Sequence, residues 1–291
     1  MHILVTGASG YIGSYLVKEL LNRGFKTTAI VNSNTLSYEG ITIKCNLLNR
    51  NVIDNILKNN DIDVIIHLAG ARFNKNTTND GYIEGNFKLT ENILTACKEH
   101  NVRKIIFSSS MAVYGINAGW FSAKYLPVDE AHPVKPYEYY GLSKYLAEMI
   151  CKFYYDRHGI DSTILRYSRV YGEGARGFIT QSINNALNNN DIIINADLST
   201  DFVYINDVID ATINAIDIEG YDIFNIGSGE ETKLSDIANI IISLLNSSSK
   251  IIIKDASDSR FYYNIDKAKD ILHYSPINIK TGIEKCIKYT I

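Results

Sequence analysis

Met1-His2-Ile3-Leu4-Val5-Thr6-Gly7-Ala8-Ser9-Gly10-Tyr11-Ile12-Gly13 opens the chain and decides its fold. A short apolar run ends in a loop carrying glycines at three-residue spacing. A helical pattern follows, with Ile12, Leu16, Val17, Leu20 and Leu21 on one face and Gly24 as a stop. A strand delivered through glycines onto a helix N-terminus is a place to hold a phosphate. Backbone N–H groups can approach the anion there, and the helix dipole favours its charge. A glycine triplet alone is turn punctuation; on strand, loop and helix together it reads as a dinucleotide site. The spacing is Gly-x-x-Gly-x-x-Gly, not the ordinary Gly-x-Gly-x-x-Gly.

Working outward, strand-like runs at 2–6, 26–31, 41–44, 63–68, 103–108 and 161–165 alternate with helical patterns near 12–23, 50–59, 81–99 and 137–158. Val64-Ile65-Ile66 and Ile105-Ile106-Phe107 are apolar throughout, as in a parallel sheet covered on both faces. The alternation predicts an α/β fold with a doubly wound parallel Rossmann sheet, whose ligands sit beyond the carboxyl ends of the strands. After residue 166 the pattern loosens, with loops at 167–177 and 195–201 and helices near 178–188, 206–217 and 234–246. The expected organisation is a dinucleotide-binding domain over 1–165 and a smaller substrate-binding region over 166–291. Segments near 202–227 are expected to pack back on the first domain.

Composition narrows the class. The formal charge is −3 over 291 residues, and the lysines and arginines are scattered without aromatic interleaving, so no nucleic-acid surface is expected. Apolar runs such as Ile240-Ile241-Ile242 are too short to span a bilayer. Cys45, Cys97, Cys151 and Cys286 form no C-x-x-C pair and read as reduced thiols of a cytoplasmic protein. A strand that begins at residue 2 leaves no room for a cleaved signal peptide. His2, His67, His100, His132, His158 and His273 are dispersed, with no metal-site spacing, and no metal is expected. His67 reads as a packed core residue.

After the fifth strand comes Ser108-Ser109-Ser110-Met111-Ala112-Val113-Tyr114-Gly115, and farther on Tyr140-Gly141-Leu142-Ser143-Lys144 opens a helix. Tyr and Lys four apart on a helix share a face. A cation there can lower the pKa of a phenol, normally near 10, so that it exchanges a proton with an alcohol oxygen. The spacing alone is weak, because Tyr263-Asn264-Ile265-Asp266-Lys267 repeats it in a chain with 20 tyrosines. Only Tyr140 follows the glycine loop and the strand-five serine in order, and Tyr263 reads as structural.

With these elements in order, the chain resembles the extended short-chain dehydrogenase/reductase family, the NAD-dependent epimerase/dehydratases, over nearly its whole length. Thr6 to Gly13 is similar to the family's T-G-x-x-G-x-x-G. Asp63-Val64-Ile65-Ile66-His67-Leu68-Ala69-Gly70-Ala71 resembles the strand-four segment along the cofactor, and Asn86 an asparagine that supports the active site. Asp201 to Val208, Phe224-Asn225-Ile226-Gly227 and Asp266-Lys267-Ala268-Lys269 resemble C-terminal signatures.

The resemblance implies a nucleoside-diphosphate sugar as substrate and NAD(H) or NADP(H) as cofactor. It also implies a homodimer through the helices at 81–99 and 137–158. Tyr140 would be the acid/base, Lys144 would tune it and hold the nicotinamide ribose, and Ser110 would bind the reacting oxygen. Hydride would pass between nicotinamide and a sugar carbon, most often C4. Cofactor contacts would fall on Gly7, Ser9, Gly10, Tyr11, Ile12, Gly13, Asn32, Asn46, Leu47, Leu68, Ala69, Gly70 and Asn86, together with Tyr140 and Lys144. Ser110, Met111, Ala112, Arg169 and Arg260 would bind substrate.

Departures from the family pattern narrow the chemistry. Met111 and Ala112 stand where sugar 4,6-dehydratases carry Asp-Glu, and neither moves a proton. Asn32 ends strand two where an acid would bind the ribose 2′-hydroxyl and repel NADP; no Arg stands nearby, so NADP is permitted without being demanded. Asn46 replaces an Asp that contacts adenine. Arg169 stands where an Asn is usual and Thr200 where an Arg is usual, so Arg169 can restore the lost charge on a pyrophosphate. Arg260 matches another phosphate-binding Arg, and Arg176 is a weaker candidate. Trp120 and Phe121, in the loop 116–135, either cover the sugar or anchor their loop.

The leading expectation is a reductase of a 4-keto nucleotide sugar, with Tyr140 as proton donor. A nucleotide-sugar 4-epimerase that keeps NAD bound follows, and a non-catalytic dinucleotide sensor ranks last.

Overall fold

Val, Ile and Leu without alternation make strands that hide both faces, and β1 (His2–Thr6) is one, with all five residues buried. The chain continues through α1 (Tyr11–Asn22), β2 (Lys26–Val31), β3 (Ile41–Lys44), α2 (Arg50–Asn59), β4 (Val64–His67) and α3 (Asn79–Tyr82). A π-helical segment, Ile83–Lys88, leads into α4 (Leu89–Glu99), β5 (Lys104–Ser110), a 3-10 turn Met111–Tyr114, α5 (Tyr139–His158) and β6 (Asp161–Tyr167). Next come β7 (Arg169–Tyr171), α6 (Phe178–Leu187), β8 (Ile192–Thr200), β9 (Phe202–Tyr204), α7 (Ile205–Asn214), β10 (Tyr221–Ile226) and β11 (Thr232–Lys233). The chain closes with α8 (Leu234–Leu245), β12 (Ile251–Arg260), α9 (Asp266–Leu272) and α10 (Ile279–Thr290). The computed structural model describes residues 1–32, 40–74, 76–115 and 123–291.

β1 pairs in parallel with β2 on one side and β4 on the other, β2 with β3, and β4 with β5. The seven-stranded sheet has the order β10-β6-β5-β4-β1-β2-β3, the doubly wound Rossmann arrangement expected from the sequence. Because the chain leaves β1 in one direction and returns on its other side at β4, a crevice opens at the carboxyl ends of those two strands. The glycine loop follows β1 and Leu68-Ala69-Gly70 follows β4, so the topology itself carries both to this crevice.

The chain divides into two compact units. One comprises Met1–Gly115, Val134–Arg166 and Ala211–Phe224; the other comprises Ile116–Pro133, Tyr167–Asp210 and Asn225–Ile291. In the first, Leu4, Ile65, Ile105 and Phe107 of the sheet pack with Ile53, Ile93, Leu94 and Ala147 from the helices. Each of these leucine, isoleucine and phenylalanine side chains contributes roughly 1.5–3 kcal/mol on burial. Among them sits one fully enclosed ion pair: Arg166 donates to Glu148 at 2.9 and 2.6 Å and to the Tyr114 hydroxyl at 2.7 Å.

The second unit carries two small sheets, β11-β8-β12 and β7-β9. Its hub is the buried Asp201 carboxylate, which accepts from Ser228 N at 2.7 Å, Gly229 N and Tyr263 N at 3.1 Å, and the Ser168 hydroxyl at 3.2 Å.

Three expectations need correction. Residues 195–201 were to be a loop, but all except Asp201 extend β8; the polar Asn195, Asp197 and Ser199 resemble turn residues until parallel pairing with β12 overrides them. The loop 167–177 contains β7. The helix expected near 81–99 runs without a gap from Asn79 to Glu99 but contains a π-helical turn, Ile83–Lys88, which the sequence did not predict. Among the described residues no helix is long and apolar enough to cross a membrane.

Candidate active site

The glycine loop needs its glycines for close approach. Gly7 has φ +69°, and a Cβ there would stand 2.6 Å from the Ala69 nitrogen. A Cβ at Gly13 would stand 2.2 Å from the Gly7 carbonyl oxygen. The Gly10 N–H closes the loop on that same oxygen at 2.9 Å. Gly10 also starts α1 without a side-chain cap, and the first turn has no acidic residue, which leaves the positive helix end to an anion. Tyr11 and Ile12 open that helix half-buried, the Tyr11 ring standing edge-on to Tyr15 at 5.5 Å.

A cavity of about 290 Å³ brings together Gly7, Ser9, Asn32, Asn46, Leu47, Ala69 and Gly70 from four segments of sequence. Cys45, Gly85 and Leu89, not singled out by sequence reasoning, complete its wall; their signal was adjacency to Asn46 and Asn86. Among the described residues neither a cation nor a carboxylate lines it. Asn46 is held by its Oδ1, which accepts from Leu48 N at 3.0 Å, and Leu68 N–H donates to the Thr6 carbonyl at 3.3 Å. The cradle of glycines, the uncapped helix and this slot fit a dinucleotide.

The acid/base group assembles where β5 ends and α5 begins. A Cβ at Gly141 would stand 2.3 Å from the Ala112 carbonyl oxygen; glycine lets the helix start that close, and Tyr140 thereby reaches the Ser110 hydroxyl, with which it hydrogen-bonds. Ser110 Oγ also accepts from Ala112 N at 3.2 Å and caps the 3-10 turn. Met111 and Ala112 are buried beneath. Lys144 Nζ is buried, donates to the Ser108 carbonyl at 2.9 Å and lies 4.9 Å from the Phe107 ring centre. Burial pushes its pKa down to about 8, against the opposing pull of Glu148.

Asn86 gives both amide protons away, to the Ala71 carbonyl at 3.0 Å and to Ser143 Oγ at 2.9 Å. Its buried Oδ1 has no partner among the described residues. A Cβ at Gly70 would lie 2.4 Å from that oxygen and 3.5 Å from Lys144 Nζ. Gly70, Asn86 and Lys144 therefore converge on one point.

The expectation that Lys144 lowers the Tyr140 pKa is not met in this structure. Burial raises the phenol, the Ser110 hydrogen bond acts against that, and Tyr82 adds to it. Sequence reasoning also missed the ring's company: Tyr82 at 5.9 Å and Phe73 at 6.1 Å, both edge-on. Tyr82 is itself fixed, its hydroxyl donating to the Asn74 carbonyl at 2.8 Å.

In the second unit, Arg169 Nε donates to the Thr200 hydroxyl at 3.2 Å. Arg169 and Arg176 line a cavity of about 330 Å³ with Tyr171, Phe178, Thr180 and Leu234. Burial lowers the Arg169 pKa, and no carboxylate pairs with it among the described residues. Arg260 is instead gripped by Glu231 through two bonds of 2.7 and 2.6 Å. Tyr263 is enclosed against Phe261 and precedes α9, so it shares no helical face with Lys267. Trp120 and Phe121 lie outside the described residues.

Comparison with known proteins gives the family. The model of the NAD dependent epimerase/dehydratase family matches residues 3–227. A putative UDP-glucose 4-epimerase of Methanocaldococcus jannaschii is 34% identical, with 99% of this chain and 97% of that protein aligned. The dTDP-4-dehydro-6-deoxyglucose reductase of Escherichia coli is 29% identical over 98% of this chain and 96% of its own. Among solved structures, MoeE5 in complex with UDP-glucose and NAD superposes with a TM-score of 0.87 at 25% identity, covering 100% of this chain and 98% of that one.

Proposed function

Because the chain belongs to the NAD-dependent epimerase/dehydratase family and is an enzyme of nucleotide-sugar chemistry, we propose that it is a nucleotide-sugar 4-epimerase that keeps NAD bound. The observation that carries this reading is the cofactor slot without a cation. A 2′-phosphate needs an Arg or Lys, none lines the slot among the described residues, and residues 33–39 contain neither. Epimerases among the relatives support the same choice. This reverses the order expected from the sequence, where the reductase led.

Tyr140 takes the proton of the sugar C4 hydroxyl as hydride leaves C4, and returns it when hydride comes back to the opposite face. Ser110 hydrogen-bonds the same oxygen in both half-reactions. Lys144, its Nζ donating to the Ser108 carbonyl, would hold the nicotinamide ribose. The nicotinamide, when bound, supplies the site that accepts and returns the hydride. Gly7, Ser9, Gly10, Gly13, Asn32 and Asn46 would hold the dinucleotide. Arg169 would take the sugar-nucleotide diphosphate, with Arg260 joining only if it leaves Glu231. Met111 and Ala112 offer no group for the proton transfers of a 4,6-elimination. The exposed Met149 and Phe153 of α5 would meet a second copy in a cytoplasmic homodimer.

A 4-keto-sugar reductase is the second reading, supported by the Escherichia coli relative and by the absence of an acid at position 32. A sensor without catalysis is disfavoured by the intact Ser110–Tyr140 contact. Denaturing fresh protein and identifying the released nucleotide separates the first two. Near-stoichiometric NAD, with interconversion of a UDP-sugar and its C4 epimer without added nicotinamide, is the expected result. NADPH consumption on 4-keto sugars would establish the reductase instead. Full turnover by Tyr140→Phe would overturn both, since loss of the acid/base should cost at least about a hundredfold.

A further inference from the structure

Thr6, His67, Thr90 and Asn86 form a buried line of hydrogen bonds whose direction can be worked out atom by atom. All four are essentially inaccessible to solvent. The Thr90 hydroxyl approaches the Asn86 carbonyl at 2.6 Å. A carbonyl has no proton, so the single hydroxyl proton of Thr90 is spent there. At the 3.1 Å contact between Thr90 Oγ1 and His67 Nε2, Thr90 can then only accept, and Nε2 carries hydrogen. At the other end, Ala69 N–H donates to Thr6 Oγ1 at 3.1 Å. The proton of the Thr6 hydroxyl then goes to His67 Nδ1 at 2.7 Å, which a neutral ring leaves free to accept. A second ring proton would leave the buried Thr6 hydroxyl proton without an acceptor, a costly arrangement. It would also put a second cation near Lys144, the charged group that acts on this ring.

The line ends at a π-helical turn. Within Ile83–Lys88 the Leu89 N–H reaches back five residues to the Glu84 carbonyl, the register of a π-helix, which occurs mostly as single turns at functional sites. That extra residue is what turns Asn86 so that its amide meets both Ala71 and Ser143. Ser143 in turn donates to the Tyr140 carbonyl at 2.8 Å.

We propose that His67 is a positioning residue, a neutral imidazole protonated on Nε2 alone that ties the mouth of the glycine loop to the π-turn carrying Asn86. Through Thr90 it holds the Asn86 backbone, and through Asn86 it fixes the start of the helix that presents Tyr140 and Lys144. The proposal deepens the catalytic reading above and rests on it for its kinetic consequence, but not for its tautomer.

The test uses the full-length protein as purified with its nucleotide. Nitrogen-15 NMR of the His67 ring is expected to show a single Nε2–H tautomer that does not titrate between about pH 5 and pH 9. Thr90→Val, which removes only the link to the ring and the back-bond to Asn86, is expected to lower kcat about tenfold or more. KM for the nucleotide sugar should stay within about twofold, and Thr90→Ser should restore kcat. His67→Leu should reproduce the loss; should it fail to fold, the Thr90 pair and the NMR measurement still decide. An Nδ1–H tautomer, a ring that titrates in that range, or Thr90→Val with full kcat would overturn the proposal. If Tyr140→Phe keeps turnover while the tautomer is as stated, the catalytic reading fails and the tautomer assignment stands.

Discussion

Arg169 on β7 donates across 3.2 Å to Thr200, the last residue of β8, at two positions where the family resemblance implies an Asn and an Arg. On the proposed reading, the guanidinium expected at position 200 is supplied by Arg169 beside it. Arg169→Gln is therefore expected to raise KM for the nucleotide sugar about tenfold or more with little change in kcat, the range for losing a charge-assisted hydrogen bond. The double variant Arg169→Asn/Thr200→Arg should recover most of the affinity. Steady-state kinetics on the single and double variants check this, and a double variant no better than the single one breaks the exchange.

Lys144 loses its proton near pH 8 because it is buried. As pH rises through that value, the ammonium proposed to hold the nicotinamide ribose loses its charge. The profile of kcat/KM is expected to fall on its alkaline side with a midpoint of about 8. In Lys144→Arg, where the charge persists, that limb should be missing from the residual activity. For stability the sign is opposite: a buried lysine with a depressed pKa costs stability while charged, and the cost is relieved as pH climbs from about 8 toward its unfolded value.

Asp207 accepts from the Ile277 N–H at 3.0 Å, yet burial raises its carboxyl to about 6. A carboxyl raised in the folded state binds its proton more tightly there than in the unfolded chain. Its contribution therefore worsens as pH climbs from about 4 to about 6, and the full cost persists above. Asp207→Asn keeps an acceptor without the charge. It should be at least as stable as the parent at neutral pH, with the difference vanishing below about pH 4, measured as denaturation midpoints across that range.

The Arg166–Glu148 pair is enclosed on both sides, each side chain 2% exposed. Glu148→Ala strands a buried cation and is expected to cost about 3–5 kcal/mol in chemical denaturation. Replacing both partners, as Glu148→Leu/Arg166→Met, should cost far less. A single variant as stable as the parent would mean that water reaches the guanidinium.

The glycine loop and the strand order were legible because each is written in local spacing. Gly7 and Gly13 fill places where a Cβ would collide, and such demands leave a signature in one chain. What escaped was set by residues distant in sequence. Tyr82 and Phe73 meet Tyr140 from far earlier in the chain, and no period relates them. His67 reads as an ordinary residue of an apolar strand, since its partners Thr6 and Thr90 lie on other elements. The π-turn in the helix near 81–99 was invisible because it adds one residue without changing composition. Lys144 was expected to act on Tyr140 from its spacing, but spacing says nothing of the Ser108 carbonyl that draws its amine away.

The first unit borrows Ala211–Phe224 from far down the chain, and this orders events at the ribosome. Ser162 N–H waits for the Gly220 carbonyl at 2.9 Å. Buried Lys104 has the Thr163 hydroxyl at 2.7 Å but must wait for the Ile218 carbonyl as well. Until that late segment emerges, several seconds after β6 at ordinary elongation rates of about 5–20 residues per second, the nascent sheet shows an open edge and a half-satisfied amine. A fragment ending near residue 165 would keep that edge permanently and should self-associate. The first unit is thus contiguous in space but not in time, and its completion waits for residues Ala211–Phe224.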